Sequence, residues 1–381
     1  MAVAIYRKYR PKKFGDLLGQ EEIVEVLQNA ARQDKIAHAY LFYGARGTGK
    51  TTAARLLAKI ANCETRATDP EFKKQGEPCN NCRVCAEVDR GQALDVIEID
   101  AASNRGIDEI RDLKEGIKLS PTSYRYKVFI IDEVHMLTRD AFNALLKTLE
   151  EPPAHAIIVM ATTEFEKLPA TIVSRAQRFA FRRLPKVVIF EKLKTIAKAE
   201  KIEATEEGLE MIAAAGEGSL RDAESLFDQI TSFGEKITGE AVERIIGKVG
   251  LSKIDAFAEL LFAQDTDKAL KALYELHEKG HNLVQFNKDL IHYLRRIITL
   301  LASPAIESEY QKELTTDELQ RIKKHAAHAH PGMGEKEYLD ILKRLLQAYQ
   351  DMRYSPFAVI PFEVAIIEAT RGELAEPTAK K

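Results

Sequence analysis

No apolar run in the 381 residues exceeds about strand length, well short of the ~20 residues a helix needs to cross a bilayer. A helical membrane span is thereby excluded. The amino terminus, MAVAIYRKYRPKKF, lacks the apolar core of a secretory signal, so the expected location is the cytoplasm. Neither sign of charge prevails: 56 Lys and Arg face 58 Asp and Glu, a net of −2. Bulk charge therefore neither recommends nor rules out a nucleic-acid partner, and any basic surface must be local. Cysteine is scarce, at four residues. Two disulfides would suit a secreted chain; clustered thiols without a signal sequence suit metal ligation better. Internal repeats and low-complexity tracts are lacking too. The chain is too long for one hydrophobic core, and 45% hydrophobic with 30% charged residues describes an ordinary globular protein of two or three domains.

What is present begins with an alternation. AYLFYG (39–44), LDVIEID (94–100), YKVFIIDE (126–133) and AIIVMATT (156–163) read as strands. Between them, KTTAARLLAKIA, IDEIRDLKEGI and DAFNALLKTLE carry apolar residues at helical spacing. Apolar strands separated by amphipathic helices predict an α/β fold, a parallel sheet covered on both faces. After Leu184-Pro185 the strands stop. Residues 186 to about 249 read as three or four short helices, and the chain from about Gly250 is helical with a break near HPGMGEKE. The expected division is 1–182, 183–249 and 250–371, with 372–381 as a linker or frayed tail.

GARGTGKT (44–51) matches the G-x-x-x-x-G-K-[ST] pattern and stands where it must, after an apolar strand and opening a helix. Gly44, Ala45, Arg46, Gly47, Thr48 and Gly49 would turn backbone N–H groups around phosphates, with Thr52 continuing the helix. Lys50 would reach the β/γ-phosphates and Thr51 would ligate Mg²⁺. VFIIDE ends a strand in two acids. Asp132 suits the second Mg²⁺ ligand, and Glu133 suits a general base for the attacking water. Thr162 and Thr163 end the next strand at the edge where ligands of such sheets gather; Thr163 is the better candidate for a γ-phosphate or water contact. β-branched filling of the strand is the alternative.

Cys79-x-x-Cys82-x-x-Cys85, with Cys63 upstream, offers four thiolates for a closed, structural Zn²⁺ shell. An iron–sulfur cluster is the rival, but Asp89 and Arg90 stand where such a run wants Cys and Pro. The polar stretch ETRATDPEFKKQGEPCNN cannot hold itself together by burial, and a metal clip would order it. In ATIVSRAQRF, Arg175 has no obvious local partner, since the nearest acids, Glu164 and Glu166, lie upstream. In DAASNRGIDEIRDL, Ser103 or Asn104 would cap a helix with Arg105 beside it and Arg111 along it, an arrangement that suits a phosphate. The interleaved Asp108, Glu109 and Asp112 equally suit a solvated face.

YRKYRPKKFGDLLGQE, GARGTGKT, the four-cysteine insertion, IDEVHML, FNALLKTLEEPP, ATTEFEKLPATIVSRAQRF and EGSLRDAESLFDQ occur in order. Together they resemble the gamma/tau clamp-loader ATPases of bacterial DNA polymerase III, strongly over about the first 250 residues. The resemblance implies an AAA+ P-loop core over 1–182 with a zinc module at 63–90, a helical lid over 183–249 and an all-α collar over 250–371. It implies ATP, Mg²⁺ and Zn²⁺ as ligands, and a five-membered ring with delta and delta prime subunits that opens a sliding clamp and loads it on primer-template DNA. Thr163 would be the first sensor and Arg221 the second; on its residues alone Arg221 reads as an intrahelical partner of Asp222 or Glu224. Arg10, Pro11 and Leu18 would close over adenine and ribose. Arg175 would be a finger acting in trans on a neighbour's ATP, against a plain salt bridge. Ala176 departs from the family, whose members often carry Cys there. A different AAA+ machine and a scaffold that binds ATP without turning it over are the competing functions.

Overall fold

The computed structural model describes residues 4–103, 107–234, 236–247, 249–327 and 333–371. The described residues form two compact units, Met1–Leu184 with Glu217–Ser225, and Pro185–Gly216 with Leu226–Lys381. No helix among them is long and apolar enough to cross a membrane.

The first unit is built on five parallel strands: β1 (Ala39–Gly44), β2 (Val96–Asp100), β3 (Lys127–Asp132), β4 (Ala156–Thr162) and β5 (Gln177–Phe181). Their order is β2-β3-β4-β1-β5, with Leu41 opposite Met160 on one side and Arg178 on the other. Both faces are covered. Tyr40 and Phe42 point into a core with Leu27, Leu56, Ile130 and Val159, while Leu41 joins Phe129, Ile131, Leu145 and Ile158 on the opposite face. This two-sided burial is why the strands read as continuous apolar runs. β1 sits between β4 and β5, so the chain leaving it must cross to the far edge. The carboxyl end of such a switch point is where a cleft opens in doubly wound sheets.

The insertion between the helix Lys50–Asn62 and β2 folds as short helices, including Glu64–Thr68, Pro70–Lys73 and Arg83–Arg90. Besides the cysteines, polar anchors hold it to the rest of the unit. Arg66 is 5% exposed and donates to Asp34 at 2.6 Å. Lys59, 1% exposed on the helix Lys50–Asn62, reaches Asp89 at 2.8 Å. These partners lie about 30 residues apart in sequence, beyond any local pattern.

The second unit is helical. Its largest core gathers Phe257, Leu261, Phe286, Leu294, Ile297 and Phe362 from the helices Leu251–Phe262, Leu283–Ala302 and Val359–Arg371. Buried Glu318 accepts from Arg296 at 2.6 Å and from Lys186. The helix Lys186–Glu200 is thereby tied to the later helices of the same unit.

Candidate nucleotide site and cysteine cluster

At the carboxyl end of β1 the chain turns through Gly44–Gly49 into the helix Lys50–Asn62. Gly47 and Gly49 have φ of +73° and +105°, and a Cβ on Gly47 would meet Ser219 Oγ at 1.8 Å. Glycine is required there both for backbone conformation and for space. Lys50 is 5% exposed, and its Nζ donates to the carbonyls of Gly44 and Ala45, both at 2.8 Å. Burial lowers its pKa, opposed by Glu133 and Asp132. Thr51 Oγ1 donates to Asp132 Oδ2 at 2.8 Å. A hydroxyl and a carboxylate converging beside a phosphate loop are the hard oxygen donors that Mg²⁺ takes, so these residues fit the cation.

Glu133 follows β3 at φ +48°, left-handed backbone that is uncommon for a residue with a side chain. Its carboxylate is held in place: Thr163 donates to Oε2 through both N–H (3.1 Å) and Oγ1 (2.8 Å). His135 stands 3.4 Å from Glu133 and 3.1 Å from Glu164, with Nδ1 2.9 Å from Thr162 Oγ1. Neither His135 nor the Thr163 contact to Glu133 follows from sequence spacing.

Lys50, Thr51, Asp132 and Glu133 border an open cleft of about 900 Å³, counting the solvent it opens onto, and Thr163 and His135 lie outside its lining. Arg46, Gly47, Thr48, Gly49, Lys50, Thr51, Thr52, Asp132 and Glu133 line it, as do Arg10, Pro11, Leu18 and Arg221. Gly44 and Ala45 lie at its root through the Lys50 bonds. Arg221 belongs to the same compact unit, and the Leu184 N–H donating to Gly218 O at 3.0 Å brings its segment back to the sheet. Burial lowers the pKa of Arg10, helped by neighbouring Arg55 and opposed by Glu98. The cleft thus sets Arg10, Arg46, Lys50 and Arg221, alongside Asp132, Glu133 and Glu224, around the phosphate loop and the start of its helix. The cations suit a polyphosphate, and the acids suit its metal and water. Sequence reading missed Tyr6, Leu17, Leu184 and Glu224, which also line it; the Arg221 guanidinium lies 5.3 Å from the Tyr6 ring centroid. An aromatic four residues before Arg10 was the available signal for Tyr6.

Arg175 lies outside the cleft lining. Its partner is Glu150, at 2.5 Å, with further bonds to Thr171 O (2.8 Å) and Ser174 Oγ (3.2 Å). That acid stands 25 residues upstream, at the end of the helix Arg139–Glu150, so a search of flanking residues missed it. Arg105 and the Arg111 side chain lie outside the described residues.

The four cysteines are free thiols whose sulfurs lie within 4.8 Å of one another. A tetrahedral Zn–S shell at ~2.3 Å puts sulfurs roughly 3.8 Å apart, and Cys79 and Cys85 are 4.0 Å apart. The N–H groups of Asn81 and Cys82 point at Cys79 Sγ, and that of Cys85 at Cys82 Sγ. Such donors stabilise thiolate charge. A hydrogen bond from Cys85 pulls Cys63 down to about 4 and correspondingly raises Cys85. The convergence of four sulfurs and the N–H···S bonds to them fit zinc.

Three family models match consecutive parts of the chain. They are DNA polymerase III, delta subunit, over 19–185; DNA polymerase III clamp loader subunit, ATPase lid domain, over 188–236; and DNA polymerase III subunits gamma and tau domain III, over 237–380. DNA polymerase III subunit tau of Bacillus subtilis is 43% identical over 366 residues, covering 96% of this chain and 62% of its own length. DNA polymerase III subunit gamma of Buchnera aphidicola (from Acyrthosiphon pisum) is 35% identical over 363 residues, covering 95% of this chain and 96% of that one. The chain belongs to the DNA polymerase III gamma/tau family. It spans less than two thirds of several longer members, 62% of the Bacillus protein and 48% of the gamma/tau subunit of Mycoplasma genitalium. The five-stranded parallel sheet, with the phosphate loop leaving β1, is the AAA+ P-loop core of this family, and helical lid and gamma/tau domain III segments follow it.

Proposed function

We propose that the chain is the ATP-hydrolysing motor of a bacterial DNA polymerase III clamp loader, opening a sliding clamp and placing it on primer-template DNA. The observation that carries this reading is the convergence of Lys50, Thr51, Asp132 and a Thr163-held Glu133 on one cleft in a gamma/tau chain. A non-hydrolytic scaffold has no use for a positioned Glu133. The proposed division is 1–182 as AAA+ core, 183–249 as lid, 250–371 as collar and 372–381 as tail. Delta and delta prime complete a five-membered ring in the cytoplasm.

In this reading Arg10, Pro11 and Leu18 close over the base and ribose, and residues 44–52 cradle the phosphates. Lys50 and Arg221 neutralise phosphate oxygens as charge builds on them. Bound Mg²⁺, held by Thr51 and Asp132, would supply further positive charge to the β/γ-phosphates. Glu133 takes a proton from the attacking water while the bond from the γ-phosphorus to the ADP oxygen breaks. Thr163 keeps the Glu133 carboxylate aimed. Arg175 serves the ATP of the adjoining subunit, so hydrolysis waits for assembly. Zn²⁺ on Cys63, Cys79, Cys82 and Cys85 is structural. Arg105 and Arg111 contact DNA phosphates, which fixes register without reading sequence.

The test is ATP turnover by this chain alone and with partner subunits, clamp and primed DNA. Slow turnover alone and strong stimulation by the full set are expected. Turnover indifferent to clamp and DNA would point to another AAA+ machine, and none under any condition to a scaffold.

A further inference from the structure

Glu77, two residues before Cys79, places its carboxylate against the amino-terminal segment. Oε2 accepts the Phe14 N–H at 2.7 Å; Oε1 accepts the Gly15 N–H at 2.8 Å and Gln28 Nε2 at 2.7 Å. Those two amides open the turn Phe14–Asp16, and Lys13, just before it, makes no side-chain cap bond. The leading N–H groups of a helical turn find no partner inside it. Here the partner arrives from 62 residues away. The turn runs straight into Leu17 and Leu18, which line the cleft, and a Cβ on Gly49 of the phosphate loop would lie 3.3 Å from Leu17 Cδ2.

The rest of the insertion grips the adjoining helix Glu21–Arg32. Arg32 donates to the carbonyls of Lys74 (2.9 Å) and Gln75 (3.3 Å), and Arg66 donates to the carbonyl of Ala31. The backbone of Gly76 is closely packed: at φ +69°, an added Cβ there would meet Gln28 O at 2.7 Å. Glu77 is thus fixed between a close backbone contact on one side and the sulfur shell on the other.

We infer that the cysteine module is a strap on the segment that closes over the nucleotide, with Glu77 as its positioning residue, so that metal occupancy and ATP affinity are linked. This rests on the nucleotide reading of the cleft. Phe14 is fully buried and anchors one point of the segment. Leu17 is buried in the core as well, and Gln20 is tied to Arg182. It is the two charge-assisted bonds to the consecutive amides of Phe14 and Gly15, however, that set the backbone of the turn leading to Leu17 and Leu18. Without them the segment samples open conformers, and apparent affinity falls with the closed fraction.

The experiment uses the full chain, with nucleotide affinity measured by a fluorescent ATP analogue with Mg²⁺, and zinc measured by atomic absorption. Glu77→Ala should raise Kd about tenfold while zinc content stays near wild type and the protein still melts cooperatively, a few degrees lower. Glu77→Gln keeps an acceptor for one amide and should fall between. Cys82→Ser should lose zinc and raise Kd at least as far, and chelator-stripped wild type should match it if that variant folds poorly. Glu77→Ala in stripped protein should then add little, because both changes cut one path. An unchanged Kd in zinc-replete Glu77→Ala overturns the inference, and so does full additivity. If wild type binds the analogue no better than Lys50→Ala, the nucleotide reading itself fails and the inference goes with it.

Discussion

Glu133 concentrates the chemistry at the scale of single residues. Its backbone is left-handed, and the N–H and hydroxyl of Thr163 fix one carboxylate oxygen. Glutamine at this position keeps an acceptor for both donors but has no basic oxygen to take a proton. Glu133→Gln should therefore bind ATP with near wild-type affinity and melt at the wild-type temperature, while turnover falls about 10²-fold or more. Single-turnover hydrolysis beside equilibrium binding checks this, and near-normal turnover would remove Glu133 from the mechanism. The sequence makes this residue legible because its position depends only on a strand ending beside a phosphate loop. Thr163 as its holder is not legible, since the contact depends on β3 and β4 lying side by side.

Among helices, charge networks do what apolar packing alone does not. Asp255, on Leu251–Phe262, accepts Tyr293 Oη at 2.7 Å from Leu283–Ala302. It also pairs with Arg321 at 3.0 Å and His325 Nε2 at 2.7 Å, both on Thr316–Ala327. Burial pushes Asp255 up, but hydrogen bonds from His325 and Tyr293 outweigh it and hold the carboxyl at about 2. A folded value below the ordinary one, ~3.9, means stability that is fully present above about pH 4 and lost as pH falls toward 2. The gap corresponds to about 2.6 kcal/mol. Asp255→Asn should lower unfolding stability by roughly that much near neutral pH, with the difference from wild type shrinking between about pH 4 and pH 2. Urea titrations across that range check it, and a pH-independent difference would show that the loss is one of packing. Helix spacing announces these elements. It does not say that four side chains from three of them will meet: within its own helix Arg321 already has Asp317, at 2.7 Å, and only packing of the helices adds Asp255.

For the whole molecule, the local strings were the readable part: GARGTGKT, VFIIDE and the cysteine spacing each carry their chemistry within a few residues. The long-range pairs were not readable, and Glu150 with Arg175 is the one that the proposed action in trans would break. Both side chains are well exposed, 33% for Arg175 and 46% for Glu150, and such surface pairs contribute only about 0–1 kcal/mol. On the proposed reading Arg175 would exchange Glu150 for a neighbour's phosphate at little cost. An arginine acting on its own chain's ATP and one acting on a neighbour's differ in what mixing does. In assembled rings, Arg175→Ala should abolish DNA-stimulated hydrolysis at the adjoining site, a loss on the order of 10³-fold. Lys50→Ala should disable the site on its own chain. Rings that mix the two variants place some intact Lys50 sites beside intact Arg175 side chains, so part of the activity should return although every motor subunit carries a defect. Turnover measured across mixing ratios, with gel filtration and mass spectrometry to verify mixed rings, reads this out. Recovery should peak at intermediate ratios, and mixed rings with no recovery at any ratio would place Arg175 in cis or in a purely structural role.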